Sequence, residues 1–285
     1  YGAPASSRTF VWDQTPPSVS PTFPAEGSYW TPAAIDLVSL SGTAREEPAT
    51  AGKVNAEFKL SDNDDAEIEL TYLDAGNTYY FAPAGWTLVP STIQRARELV
   101  AGTTIWQLIP KPSHDPVAPF DPNSWQSAGD RQFRMRSRAR DAATDGSGID
   151  ARNTSAYLGD DGALDYLTFT VDVTIPSSSI TWPTNNLFVN ALSSITGTAL
   201  AGLSGPQTIE VKITSNPVTG PWWNGSAYSF TEQFRSVQVL GGETAWEYPG
   251  LTGDTLAGAF LNDTTYYAYL RVTDRAGHVN PLQHT

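Results

Sequence analysis

The stretch FVWDQTPPSVSPTFP, residues 10–24, returns 159 residues later as FTVDVTIPSSSITWP, residues 169–183. Phe10 falls on Phe169, Asp13 on Asp172, Thr15 on Thr174, Pro17 on Pro176 and Pro24 on Pro183, with no gap. Further matches follow in the same order. Ser39-Leu40-Ser41-Gly42-Thr43-Ala44 matches Ser194-Ile195-Thr196-Gly197-Thr198-Ala199, and Phe58-Lys59-Leu60 matches Val211-Lys212-Ile213. Arg95 through Trp106 runs without gaps against Arg235 through Trp246, and Arg138-Ala139-Arg140-Asp141 matches Arg271-Val272-Thr273-Asp274. Collinear matches of this kind mark an internal repeat, in which each copy is one structural unit.

The repeat sets the domain organisation. Residues 1–9 read as an N-terminal strand or the tail of a preceding repeat, 10–150 as the first domain, 151–165 as an acidic linker and 166–285 as the second domain. Gly42 to Trp106 is longer than Gly197 to Trp246, and the excess falls near SDNDDAEIELTYLDAGN, residues 61–77, where a longer loop or added hairpin is expected. Tyr1 is not an initiator methionine, so the chain is expected to be an excerpt with further repeats outside it.

Within each copy the pattern is that of strands. In Thr208–Thr214, Ile209, Val211 and Ile213 point one way and Glu210 and Lys212 the other, towards solvent. In Tyr266–Thr273, Tyr267, Tyr269 and Arg271 share one face and Ala268, Leu270 and Val272 the opposite one. Period-two alternation is the mark of a half-buried strand. The dipeptides Asn224-Gly225, Asp145-Gly146 and Asp161-Gly162 favour tight turns. One helix is predicted over Ser91–Val100, capped by Ser91 and closed by Gly102, whereas its counterpart Thr231–Leu240 reads as extended.

Composition supports an all-β chain. Nine Trp, twelve Tyr and eleven Phe supply large apolar areas for β-cores, and only 16% of residues are charged. The net charge of −13 argues against nucleic-acid binding, which needs a basic surface to displace counterions from phosphates. No run approaches the ~18 apolar residues of a membrane span, so no membrane insertion is expected. The chain has no cysteine, which removes disulfides, thiolate metal sites and cysteine nucleophiles.

The opening Asp13-Gln14-Thr15-Pro16-Pro17-Ser18-Val19, the central Ser-Gly-Thr-Ala, the Trp late in each copy and the closing Arg271-Val272-Thr273-Asp274-Arg275-Ala276-Gly277-His278 resemble bacterial immunoglobulin-like (Big-type) tandem repeats of large surface proteins. The resemblance implies two tandem immunoglobulin-like β-sandwich domains, with insertions in the first. It implies an extracellular or cell-surface protein in which further repeats or neighbouring subunits are the partners. The expected role is a structural or adhesive spacer. A self-assembling filament or surface-layer subunit, and an accessory module binding a glycan or a cell-surface protein, stand as alternatives.

Two groups of residues are candidate sites. Aspartates cluster at the domain border, and Asp13, Asp141, Asp145, Asp172 and Asp274 are the candidate Ca²⁺ ligands, since calcium takes six to eight oxygens. The competing reading is that Asp serves turns and caps through its side-chain oxygens. Asp62-Asn63-Asp64-Asp65 resembles a calcium loop but has Glu67 where the EF-hand pattern needs glycine, and reads as an exposed acidic hairpin. Trp222 and Trp223, with Trp86 and Tyr79-Tyr80-Phe81, are candidates for stacking on a sugar. Trp106 and Trp246 recur at matched positions and are assigned to the core. The three histidines, His114, His278 and His284, form no catalytic motif, and the chain is not expected to be an enzyme.

Overall fold

A computed structural model describes residues 18–35, 40–45, 66–82, 85–90, 93–94, 105–107, 123–139, 166–240, 244–250, 252–256, 258–280 and 283–284. Among them the chain is all-β apart from one short helix, Asn123–Ala128. It forms two tandem immunoglobulin-like β-sandwiches, each made of a smaller and a larger antiparallel-rich sheet. The compact units comprise residues 1–28, 36–124 and 132–169 for the first, and 29–35, 125–131 and 170–285 for the second.

The second sandwich has a four-stranded sheet in the order Ser177–Trp182, Ile195–Leu200, Ala245–Tyr248, Gln238–Val239. Its larger sheet runs Tyr228–Ser229, Trp222–Trp223, Pro206–Thr214, Tyr267–Asp274, Gln283–His284, with Arg235–Ser236 also paired to Pro206–Thr214. The inward residues of the two sheets meet in one core. Ile195, Ala199, Trp246 and Tyr248 come from the smaller sheet, and Ile209, Val211, Ile213, Trp223, Leu270 and Val272 from the larger. Trp246 and Leu270 are completely buried. Burial of side chains of this size is worth roughly 1.5–3 kcal/mol each.

The first sandwich repeats the plan. Its smaller sheet runs Ser18–Phe23, Ser41–Arg45, Ile105–Gln107. Its larger sheet runs Ser28–Trp30, Leu167–Val171, Arg131–Ala139, Ala66–Asp74, Asn77–Ala82, Gly85–Thr87, with Ile93–Gln94 also paired to Ala66–Asp74. The core is more aromatic. Trp86 meets the Tyr72 and Phe81 rings edge-on at 4.7 and 5.1 Å, and Phe133 stacks on Phe169 at 5.6 Å.

The repeat extends to the registers. Ser18, Val19, Ser20 and Pro21 pair with Arg45, Ala44, Thr43 and Gly42, and a bulge precedes Phe23 opposite Ser41. Ser177, Ser178, Ser179 and Ile180 pair with Leu200, Ala199, Thr198 and Gly197, and a bulge precedes Trp182 opposite Thr196. These are the same pairs under the sequence alignment. Gly42 then faces Trp106 as Gly197 faces Trp246. Both first strands are followed by a cis X–Pro bond, Phe23–Pro24 and Trp182–Pro183. The Trp106 side chain lies outside the described residues, whereas Trp246 is core as expected.

Three sequence expectations are corrected. The counterpart of Val211-Lys212-Ile213 is Ile68-Glu69-Leu70, not Phe58-Lys59-Leu60, which lies outside the described residues. The registers decide this: Glu67 pairs with Arg138 as Glu210 pairs with Arg271. The stretch read as an insertion therefore contains a central strand, Ala66–Asp74, and only its turn at Ala75-Gly76 leads into a hairpin. Within the predicted helix, Ile93–Gln94 is a strand, and Ile93 faces Ile68 as Arg235 faces Val211. The gap-free match of Arg95 with Arg235 is thus displaced by two residues at its start. The expected acidic hairpin at Asp62–Asp65 lies outside the described residues.

Lys212 is the third correction. It projects from the outer face, as the alternation requires, yet it is only 6% exposed. Its ammonium donates to Glu232 Oε1 at 2.6 Å and sits 4.7 and 5.2 Å from the Tyr269 and Phe234 ring centres. Aromatic rings cover a cation here because their faces carry negative charge density. At the matched position of the first sandwich the cross-strand pair is ionic instead, with Arg136 donating to both oxygens of Glu69 at 2.8 and 3.1 Å.

A second ion pair joins the loops of the second sandwich. Arg235 donates through Nε and Nη2 to the two oxygens of Asp254, at 2.9 and 2.6 Å. The hydrogen bond from Arg235 holds the Asp254 carboxyl below its ordinary 3.8, outweighing the opposing effect of burial. A carboxylate with a depressed folded-state pKa stabilises the fold above the unfolded value, and that contribution is lost as pH falls through the folded one. Asp254→Asn is expected to cost about 2 kcal/mol at neutral pH and to flatten the loss of stability below pH ~4. Urea unfolding of both proteins across the acid range measures this; parallel curves would contradict it.

Candidate functional site

The two matched aspartates of the second copy meet. Asp172 follows the strand Leu167–Val171, and Asp274 closes the strand Tyr267–Asp274. Both are completely buried. With His278 they place one ligand atom each within 4.8 Å of one another. A buried carboxylate is costly unless its oxygens are hydrogen-bonded, and here every carboxylate oxygen has a partner.

Asp172 Oδ1 accepts from the Thr174 N–H at 2.9 Å, and Oδ2 accepts from the Ser204 N–H at 2.8 Å. The loop around Ser204 approaches closely because Gly202 has φ +59°, and a Cβ there would lie 2.7 Å from Asp172 Oδ1. Asp274 Oδ1 accepts the N–H groups of Gly277 and His278 at 2.7 and 2.8 Å, and Oδ2 lies 2.9 Å from His278 Nδ1. Arg275 ties the two loops together, its N–H donating to Gly205 O at 3.1 Å and its guanidinium to Ser204 O at 3.3 Å.

Asp130 adds a third carboxylate to this end of the second unit. Oδ1 accepts the Val173 N–H at 2.7 Å and Oδ2 the Thr174 hydroxyl at 2.6 Å. Burial pushes the Asp130 carboxyl up, but the hydrogen bonds from Thr174 and Val173 outweigh it and hold it below 3.8. The buried Asn280 completes the loop, its Oδ1 accepting the Val272 N–H at 2.6 Å and its Nδ2 donating to Ser178 Oγ at 2.7 Å.

Of the five candidate calcium ligands, the structure brings Asp172 and Asp274 together; Asp13, Asp141 and Asp145 lie outside the described residues. Sequence reasoning missed His278, Ser204 and Asp130. His278 was legible in part, because Asp-x-x-Gly-His puts two N–H groups within reach of one aspartate. Chemically, the arrangement is a carboxylate clamp on two loops. Asp172, Asp274 and His278 are the groups that would hold a cation, but the four carboxylate oxygens already accept protein donors. Millimolar Ca²⁺ is therefore expected to leave the melting temperature of the chain unchanged; a rise that Asp274→Asn removes would establish a metal site instead.

The tryptophan candidates separate. Trp223 is in the core of the second sandwich and meets the Tyr228 ring at 5.1 Å. Trp222 is half-buried and lies over Gly220, where a Cβ would come within 2.6 Å of its ring. Trp86 and Phe81 belong to the aromatic core of the first sandwich. Trp222 alone keeps a partly accessible face.

No family model and no curated protein matches the chain. Among solved structures it is similar to the fibronectin(III)-like modules of Clostridium thermocellum CbhA, at 9% identity and a TM-score of 0.28, over 94% of this chain and 91% of that one. The fold rests on the strand pairings given above.

Proposed function

We propose that the chain is a non-catalytic spacer from a repetitive extracellular fibre or surface protein. The observation that carries this reading is the repetition of the pairings: two copies keep the same first-strand register, the same Gly–Trp pair and the same central Glu–Arg pair. A spacer needs a module that can be copied, and both copies keep the scaffold while the loops diverge. The buried aspartates support it as well, since the most conspicuous polar cluster is spent on holding loops. The acidic surface suits a protein that stays soluble and repels its neighbours at long range.

A glycan- or protein-binding module is the rival reading, with Trp222 as its anchor. Screening the purified chain against soluble glycans, insoluble polysaccharides and matrix proteins separates the two. The spacer reading expects no affinity tighter than ~1 mM, equivalent to about 4 kcal/mol. Saturable binding abolished by Trp222→Ala would replace it.

A further inference from the structure

Strand for strand, the larger sheets of the two sandwiches correspond, except at one edge. In the first, Leu167–Val171 lies beside Arg131–Ala139 and is followed by an outermost strand, Ser28–Trp30. In the second, Gln283–His284 lies beside Tyr267–Asp274 and no strand follows among the described residues. At the 159-residue offset the counterpart of Ser28–Trp30 is Leu187-Phe188-Val189. All three are exposed, and Phe188 is 101% exposed. Leu187 N–H donates to Thr184 O in a turn, while the backbones of Phe188 and Val189 make no hydrogen bond among the described residues.

The first sandwich shows what such an edge receives. Gly27 N–H donates to Thr168 O at 2.8 Å and Asp172 N–H to Trp30 O at 3.0 Å, so residue numbers rise together along a parallel pair. Glu26 accepts the Thr168 N–H at 2.6 Å and the Thr168 hydroxyl at 2.5 Å. Phe169 turns inward onto Phe133. The received strand reads Thr168-Phe169-Thr170-Val171-Asp172, and its repeat counterpart is Thr9-Phe10-Val11-Trp12-Asp13. The second sandwich has room for it: Gln283–His284 pairs only with Leu270 and Tyr269, which leaves Tyr267 and Ala268 without a partner strand on that side. Asn185 stands where Glu26 does, with a side-chain oxygen able to accept from a threonine.

We propose that Leu187–Val189 and the adjoining edge of Tyr267–Asp274 take up the opening strand Thr9–Asp13 of a second copy of this chain by strand addition. The backbone ladder supplies affinity, and Phe10 takes the inward place that Phe169 holds in the first sandwich. The contact is head-to-tail, because donor and acceptor are different surfaces, so it propagates into open chains and not closed dimers. Each copy carries −13, so added salt strengthens the association by screening repulsion. The inference rests on the tandem-module reading but not on the spacer role, which stands if the chains prove monomeric.

Sedimentation velocity of the whole chain over a concentration series, at low and moderate salt, tests it. The wild type is expected to associate reversibly. Phe188→Asp, at a fully exposed position, should keep the melting temperature and weaken association at least tenfold, and Phe10→Asp should do the same from the donor side. A mixture of the two variants should give 1:1 dimers and nothing larger, because one intact donor and one intact acceptor remain. If Phe10→Asp fails to fold, a labelled peptide of residues 1–17 replaces it, expected to bind wild type and not Phe188→Asp. A wild type monomeric throughout, association that survives Phe188→Asp, or a peptide that binds neither protein would each overturn the proposal.

Discussion

Gly197→Val is expected to destabilise the second sandwich by about 3–4 kcal/mol, at the upper end of what overpacking a core costs. Gly197 pairs with Ile180 on one side and Trp246 on the other. A Cβ at this position would run into the Ser179 carbonyl oxygen and the Trp246 indole. Neither can yield cheaply: the carbonyl is backbone in a paired strand, and the indole is completely buried in the core. Against a total stability of roughly 5–15 kcal/mol for a domain, a loss of that size unfolds a large share of the molecules at moderate temperature. Thr198→Val, on the exposed face of the same strand, is the control and should stay within about 0.5 kcal/mol. Urea unfolding followed by tryptophan fluorescence reads both. A tolerated Gly197→Val would mean that the Gly–Trp pairing is not the packing described.

Asp274→Ala is expected to cost about 3 kcal/mol, because it orphans the Gly277 and His278 N–H groups and the His278 ring nitrogen together. Asp274→Asn keeps one acceptor oxygen for the two N–H groups and loses the charged contact with His278, so about 1 kcal/mol is expected. The ordering of the two variants separates a hydrogen-bonded clamp from a metal ligand. A clamp gives the same losses with calcium or with a chelator present. A metal ligand would give losses that appear only with calcium, and that result would contradict the clamp.

The parts of this fold that were legible in the sequence are those where the backbone restricts the residue. Pro24 and Pro183, Gly42 and Gly197, and Asp172 and Asp274 each occupy places that few other residues fill, so their spacing locates the smaller sheet and the ends of the larger one. The central strand was misplaced for the opposite reason. Phe58-Lys59-Leu60 and Ile68-Glu69-Leu70 both read apolar–charged–apolar, and period-two alternation alone does not say which of two such runs pairs with Arg131–Ala139. The two-residue displacement near Ile93 has the same origin, since it lies between fixed points and on neither.

The candidate site was legible as residues but not as chemistry. Matching Asp172 with Asp13 and Asp274 with Asp141 picked out two aspartates that do meet. Whether their oxygens are engaged depends on Ser204, brought in by the loop at Gly202, and on His278, four residues beyond Asp274. Burial of Lys212 was hidden for a related reason. Its cover comes from Phe234 and Tyr269, on other strands, and local alternation carries no trace of either.

The central claim is that two copies share one set of pairings, and engineered disulfides test it most directly because the chain has no cysteine of its own. Ser20 faces Thr43 and Ser179 faces Thr198, and these are the same pair in the two copies. The Ser179 and Thr198 hydroxyls lie 2.9 Å apart, which shows the two side chains sharing a face. Disulfides need Cβ atoms within about 4.5 Å. Ser20→Cys/Thr43→Cys and Ser179→Cys/Thr198→Cys should both oxidise readily in the folded protein, while Ser20→Cys/Ala44→Cys and Ser179→Cys/Ala199→Cys, one residue out of register, should stay reduced. Closure of the second-copy pair together with failure of Ser20→Cys/Thr43→Cys, or closure of the displaced pairs, would contradict a shared register and with it the reading of the chain as two copies of one module.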